Sequence, residues 1–381
     1  MLEYLQIMKE INAILKAYSE AKSAGKKTAL ATVVKVEGSS YRQPGARMLV
    51  TEDGLLTGAI SGGCLEGDAL RKALLAIHQK QNKLITYNTT DENNSEVGLQ
   101  LGCNGIVHIL FEYINDETEN NPIQLLKQLN LERKEAVVTT VFSLNRNAPQ
   151  IGTVLFYREN TQPVYNNPIA LQILPWAKEA INIKAPIINK LQDNLGNEAL
   201  TEYISPPVLL VIVGAGNDVQ PLGKMASLLG WEIIVGEGRA THATQKRFPE
   251  AKQILIATPE QLIQQIKIDP QTYFVLMTHN YKYDLGVLKL LLEQKYTYIG
   301  ILGPKTKLNR MLDELQNEGI NLNEEQLKNI HGPIGLDIGS ETSEEIALSI
   351  VAEIKAVMSH RNGSPLKYKT EKIHTTNPDW K

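Results

Sequence analysis

Cysteine is almost missing: the 381-residue chain has two, Cys64 and Cys103. Two thiols cannot knit a disulfide framework through a chain of this length, so in a reducing compartment both are expected to be free. An excess of either charge is missing too. Lys and Arg number 39 against 42 Asp and Glu, a formal net charge of −3, which leaves no surplus of cations to neutralise a nucleic-acid backbone. No apolar run approaches the length of a bilayer span, and the opening MLEYLQIMKE has neither the basic nor the apolar region of a signal peptide. A cytoplasmic protein with no nucleic-acid or membrane partner is expected. Because a single core rarely serves more than roughly 250 to 300 residues, two domains are expected as well.

What is present is glycine in places where chemistry can use it. Residues 38–68 read GSSYRQPGARMLVTEDGLLTGAISGGCLEGD. Two apolar runs, 46–50 and 55–60, flank Thr51-Glu52-Asp53-Gly54, the pattern of a tight β-hairpin. The loop that follows, Ser61-Gly62-Gly63-Cys64, leads into a helix predicted over 65–79, with Leu65, Ala69, Ala73 and Ala76 on one face. A thiol near a helix N-terminus meets partial positive charge, which favours the thiolate and favours anions. A lone cysteine is commonly just a small buried hydrophobe. Cys103, however, repeats the setting in Gly98-Leu99-Gln100-Leu101-Gly102-Cys103-Asn104-Gly105. Arg42 and Arg47 flank Pro44-Gly45; they are either two solvated arginines or guanidinium forks for phosphate or carboxylate.

Around these motifs the spacing predicts an amphipathic helix over 2–22 and strands over 28–36 and 106–113. In 117–205 a helix over 122–131 and strands over 136–144 and 151–157 can be read, and the rest is Asn- and Pro-punctuated. Pro206-Pro207 marks a boundary between an α/β domain of residues 1–205 and a second domain of residues 206–360, and 361–381 is a polar, Lys-rich tail.

The second domain opens with a continuous β-branched run, 208–213, as in a strand buried on both faces of a parallel sheet. Gly214-Ala215-Gly216-Asn217-Asp218-Val219, a helix, a strand over 231–235 and then Glu237 complete a dinucleotide-type βαβ pattern in which Val219 replaces the third glycine. Further βα units follow, so a doubly wound, Rossmann-like parallel sheet is expected. Ligands of such sheets bind at the C-terminal ends of the strands. Those ends bring forward His279, placed to donate or accept a proton, and the anion-site candidates Gly303 and Lys305 around Pro304, read as a first helical residue. The last loop, 332–339, carries Asp337 before a helix with a Thr342…Glu345 capping box.

Taken together, GSSYRQPGARMLV, ISGGCLEGD, LGCNG, VGAGNDV, MTHNY, GILGPK and HGPIGLDIGSETSEEIALSI resemble the xanthine dehydrogenase accessory factor family, also called XdhC/CoxI. The resemblance implies a cytoplasmic maturation factor that binds molybdopterin, promotes replacement of an oxo by a sulfido ligand, and hands the finished cofactor to a molybdenum hydroxylase. It implies binding and handover more than turnover. Under it, Cys64 and Cys103 are the thiols near the metal or its sulfur, and Arg47 lies close to the same motif. Gly62, Gly63, Gly102, Gly214, Gly216, Glu237, His279, Gly303, Lys305 and Asp337 complete the expected cofactor contacts. A cysteine desulfurase is a candidate second partner and a homodimer the expected assembly. Members often carry His where this chain has Asn217 and Asp where it has Asn280, which removes titratable groups from the second domain and leaves the thiol loops untouched. Two other functions remain open: an NAD(P)-dependent oxidoreductase resting on Gly214, Gly216 and Glu237, and a non-catalytic scaffold between desulfurase and hydroxylase.

Overall fold

The computed structural model of the chain describes residues 7–88, 105–145 and 147–370. Gly102, Cys103 and the end of the tail lie outside them. The described residues form two compact units divided between Pro206 and Pro207.

In the first unit α1 (Ile7–Ser23) precedes β1 (Thr28–Gly38), β2 (Arg47–Thr51), β3 (Leu56–Gly58), α2 (Glu66–Gln79), β4 (Lys83–Asn88) and β5 (Gly105–Tyr113). These strands make one antiparallel sheet in the order β3-β2-β1-β5-β4. Then come α3 (Pro122–Lys127), β6 (Ala136–Ser143), β7 (Gly152–Tyr157), β8 (Val164–Tyr165), α4 (Ala170–Ile183), β9 (Ile187–Lys190) and β10 (Asn197–Ile204). They add a second antiparallel sheet, β8-β7-β6-β10-β9. The stretch after β7, to which the sequence assigned no elements, thus supplies three strands and a helix.

Period-two alternation decides which way each side chain faces. Ala31, Val33, Met48, Val50, Ile109 and Phe111 bury against Ala69, Ala73 and Ala76 of α2. The alternate residues turn to the second sheet, where Leu110 meets Phe142 and Leu200, and Leu49 joins Val138, Phe156 and Ile204 beneath α1 and α3. The outer side of that second sheet packs Val137, Val141, Leu155 and Ala199 on Ile173, Ala177 and Ala180 of α4. The unit is therefore a stack of helix, sheet, sheet and helix.

The second unit runs β11 (Leu209–Val213), α5 (Val219–Leu228), β12 (Glu232–Glu237), β13 (Gln253–Ile256), α6 (Pro259–Gln264), β14 (Thr272–Leu276), α7 (Tyr281–Leu292), β15 (Tyr298–Ile301), α8 (Lys305–Asn317), α9 (Glu324–Lys328), β16 (Ile330–His331) and α10 (Ser343–Met358). Its sheet is parallel, in the order β13-β12-β11-β14-β15-β16. That is the doubly wound arrangement expected, with the direction of winding reversing between β11 and β14. Thr342 and Glu345 form the capping box of α10. Pro304 is a cap residue outside α8, not its first helical residue, so Lys305 begins the helix. No helix of the described residues is long and apolar enough to cross a membrane.

Candidate functional site

Cys64 is half-buried in the loop between β3 and α2, its inner side packed on the core shared by α2 and the first sheet. Gly63 beside it has φ of 106°, and among the described residues a Cβ there would meet nothing within 4 Å. The exposed ring of Tyr41 covers Gly62, 3.2 Å from where a Cβ would stand. The loop is tied from within. Ser61 Oγ accepts from the amides of Gly63 and Leu65, each at 3.1 Å. The Glu66 carboxylate accepts from the Ser61 amide at 3.0 Å and from its hydroxyl. The expected attraction of the helix start for an outside anion is therefore largely spent on Glu66, an acid in the first turn of α2.

The Tyr87 hydroxyl donates to Asp68 in that same first turn at 2.8 Å. Tyr87 stands one residue before the end of β4, and Gly105 opens β5 opposite Gly38. Cys64 and both described flanks of the segment carrying Cys103 consequently share one end of the first sheet.

The Arg47 backbone lies beside this motif, its carbonyl accepting from the Ala59 amide at 3.1 Å, but its side chain is turned away from the loop. It lies on the opposite face of the first sheet from Met48 and α2, 1% exposed, and forks onto Glu202 of β10, with 2.9 Å between Nη1 and Oε1. Nη1 also donates to the Gly45 carbonyl at 2.9 Å. Such a pair tethers the two sheets, and its charge is unavailable to a ligand. The other arginine of the motif, Arg42, is held by Glu10 of α1.

In the second unit the ends of β12, β13 and β14 and the starts of α6 and α7 surround a cleft of ≈ 870 Å³. Glu237 forms part of its wall, 3% exposed. Its carboxylate accepts from the amides of Ala215, Gly238 and Arg239 at 3.1, 3.0 and 3.2 Å. It also takes Arg239 Nε at 3.0 Å and Nη2 at 3.1 Å. Burial alone would raise the Glu237 pKa; the Arg239 guanidinium and the amides outweigh it and hold the group below the ordinary carboxylate value. Tyr283 lies under Gly238 and anchors its hydroxyl on the Ala257 carbonyl at 2.7 Å.

At the switch between β11 and β14, Gly214 has φ of 134°, and a Cβ there would overlap the Met277 carbonyl, so only glycine lets the turn pass. A Cβ on Gly216 would overlap Asp218 Oδ1. The other oxygen of that aspartate is 2.9 Å from Nε2 of His279, an exposed residue at φ of 57°. Arg247 braces the same turn by donating to the Ala215 carbonyl at 2.8 Å and to Asn217 Oδ1 at 2.9 Å. Asp218 and Arg247 were not singled out in the sequence, although an acid inside a Gly-rich turn is a visible anomaly.

Gly303 and Lys305 divide. Lys305 is exposed. It is Lys307 that runs past Gly303 into the interior, donating to the Leu302 carbonyl at 2.8 Å and to the fully buried Asp284 at 2.7 Å. Asp284 also accepts from the Thr278 hydroxyl at 2.6 Å, which ties down the loop carrying His279. Asp337 is exposed, in a loop held to α10 by the Gly335 amide on Glu353 at 3.0 Å. Among the described residues no three His, Cys, Asp or Glu side chains are gathered so as to hold a metal ion.

Residues 210–354 match the family described as the XdhC Rossmann domain, and residues 21–88 the XdhC and CoxI family. The chain is 31% identical over 325 residues to a Bacillus subtilis strain 168 protein named as a probable xanthine dehydrogenase subunit, covering 85% of this chain and 91% of that one. It is 25% identical over 348 residues to the molybdenum cofactor insertion chaperone PaoD of Escherichia coli strain K12, covering 91% of this chain and 89% of the other. The crystal structure of a Bacillus halodurans protein named a xanthine dehydrogenase matches with a TM-score of 0.73 over 93% of this chain and 99% of that one, at 28% identity.

Proposed function

The chain belongs to the XdhC and CoxI family, and from that premise we propose that it is an accessory factor of a xanthine dehydrogenase-type molybdenum enzyme, carrying the molybdenum cofactor as cargo and releasing it to the client. The observation that carries this is the half-buried thiol of Cys64 in the glycine loop that leads into α2. It is supported by the similarity of nearly the whole chain to an insertion chaperone.

A thiolate is a soft donor suited to molybdenum or to a bound sulfur. The exposed Tyr41 ring over Gly62 offers an aromatic face on which a flat pterin can stack. Ser61 and Glu66 fix the loop so that little ordering is needed when cargo arrives. We further propose that Cys103 is the second thiol, since the flanks of its segment stand at the same end of the sheet as Cys64. In the same reading the sulfur comes from a cysteine desulfurase and the working form is a homodimer.

Protein purified from a host that makes the cofactor should retain pterin and molybdenum, and Cys64→Ala should lose most of both while its thermal unfolding is unchanged. Retention by the variant equal to that of the unaltered chain, or full maturation of a target hydroxylase by a Cys64→Ala, Cys103→Ala double variant, would overturn the proposal.

A further inference from the structure

Glu10 joins three segments that are far apart in the sequence and meet beside the Cys64 loop. It lies in the first turn of α1, a helix fixed to the core through Met8, Ile11, Ile14 and Leu15. Its carboxylate reaches out of that helix to two places. One oxygen accepts from the Ala59 amide at 3.2 Å, a donor shared with the Arg47 carbonyl and standing just ahead of the turn 61–64. The other oxygen is paired with Nη2 of Arg42. The Glu10 and Arg42 side chains are 17% and 26% exposed, so this pair is screened less than one on the open surface.

Arg42 is the neighbour of Tyr41, and the tie matters because of where Tyr41 stands. Between β1 and β2 the chain is fastened near its far end, where the Gly45 amide donates to the Val33 carbonyl at 2.8 Å and the Val33 amide to the Ala46 carbonyl at 2.9 Å. Tyr41 comes before those bonds. Its ring is 70% exposed, yet Cδ1, Cγ and Cδ2 stand 3.2, 3.2 and 3.3 Å from the Cβ position of Gly62. Nearly equal distances to three ring atoms put the face of the ring, not its edge, against that glycine. Ser61 Oγ binds the amides of Gly63 and Leu65 on either side of Cys64, so what holds Gly62 restrains the turn as a whole.

We propose that Glu10 and Arg42 are positioning residues, a latch that stations the Tyr41 ring on Gly62 and thereby restrains the turn carrying Cys64. An ion pair that water still reaches can also be broken, as a carrier that must let go of its cargo requires. Cargo retention as the purpose of the latch rests on the carrier function proposed above; the latch itself is read on the protein without cargo.

The test is the rate at which iodoacetamide alkylates Cys64, followed by intact mass in the full chain carrying Cys103→Ala, where it is the one thiol. Arg42→Ala should speed the reaction about fivefold, the local opening that follows loss of a partly buried charged hydrogen bond. Arg42→Lys, which keeps a charged donor, should restore most of the slower rate. Tyr41→Ala, a change at an exposed position, should match Arg42→Ala, and the double variant should be no faster than either, because Arg42 acts through the ring. With both cysteines present and a host that makes the cofactor, Arg42→Ala should retain less pterin than the unaltered chain. The latch is overturned by Arg42→Ala and Tyr41→Ala rates within about twofold of the starting protein, the worth of a solvated surface pair. It is overturned equally by no recovery with lysine, by rates that multiply in the double variant, or by undiminished pterin in Arg42→Ala. Pterin missing from the unaltered chain would overturn the carrier function instead, and the alkylation rates would still decide the latch.

Discussion

Replacing Glu112 with glutamine should make the first unit more stable at pH 8 and change little at pH 5. Glu112 lies on β5 and points at the second sheet, 1% exposed. One carboxyl oxygen accepts from the Thr153 amide at 2.6 Å and the other bonds the Thr153 hydroxyl at 2.9 Å. Burial pushes its pKa from 4.5 up to about 7, against the opposing pull of the Thr153 bonds and of Arg47. The folded chain therefore keeps this proton over a range in which the unfolded chain has released it. The contribution is fully present below pH 4.5 and is lost as pH rises to about 7. The slope is roughly 1.4 kcal/mol per pH unit, about 3 kcal/mol in all. Glutamine cannot ionise and still offers an oxygen to the Thr153 amide. Urea unfolding of both proteins from pH 5 to 8, with amide exchange in β5 assigning the transition to this unit, gives the difference directly. A stability difference that stays flat across that range, or that favours the glutamate as pH rises, would refute the reasoning.

Arg47→Leu should destabilise the first unit by about 3 to 5 kcal/mol, because it leaves Glu202 charged and unpaired between the sheets, and Arg47→Leu with Glu202→Leu should recover much of the loss in urea unfolding. A single-variant cost below about 1 kcal/mol would mean that the pair is solvated. Gly214→Ala should cost at least about 1 to 3 kcal/mol from its φ of 134° alone, and more from the clash with the Met277 carbonyl, read as a lower melting temperature of the second unit.

The second unit was legible because its signals are local. β11, the glycine turn, α5 and β12 follow one another between Leu209 and Glu237, and a strand covered on both faces is apolar at every position, as Leu209–Val213 is. The first unit was half legible for the converse reason. β10 reads Asn-Glu-Ala-Leu-Thr-Glu-Tyr-Ile, yet all of it is buried. Glu198 and Glu202 are inside because Lys35 and Arg47, more than 150 residues away, neutralise them. Pro175 inside α4 hid that helix in the same stretch. In the candidate sites, the loop of Cys64 was readable from its glycines, whereas the use of Glu66 to satisfy its amides and the exchange of Lys305 for Lys307 were not.

By itself the sequence determined the local matters: two cysteines in glycine-flanked stretches, the turn-and-helix punctuation, and a parallel sheet whose strands carry their own apolar signature. Only the tertiary structure decided which face of a strand Arg47 occupies, that Asp218 fills the space its neighbouring glycine opens, and that a second sheet closes the first unit. The physical reason is the same in each case: a charged side chain declares its position only when the partner that offsets its desolvation is in view, and folding brings that partner from a distant part of the chain.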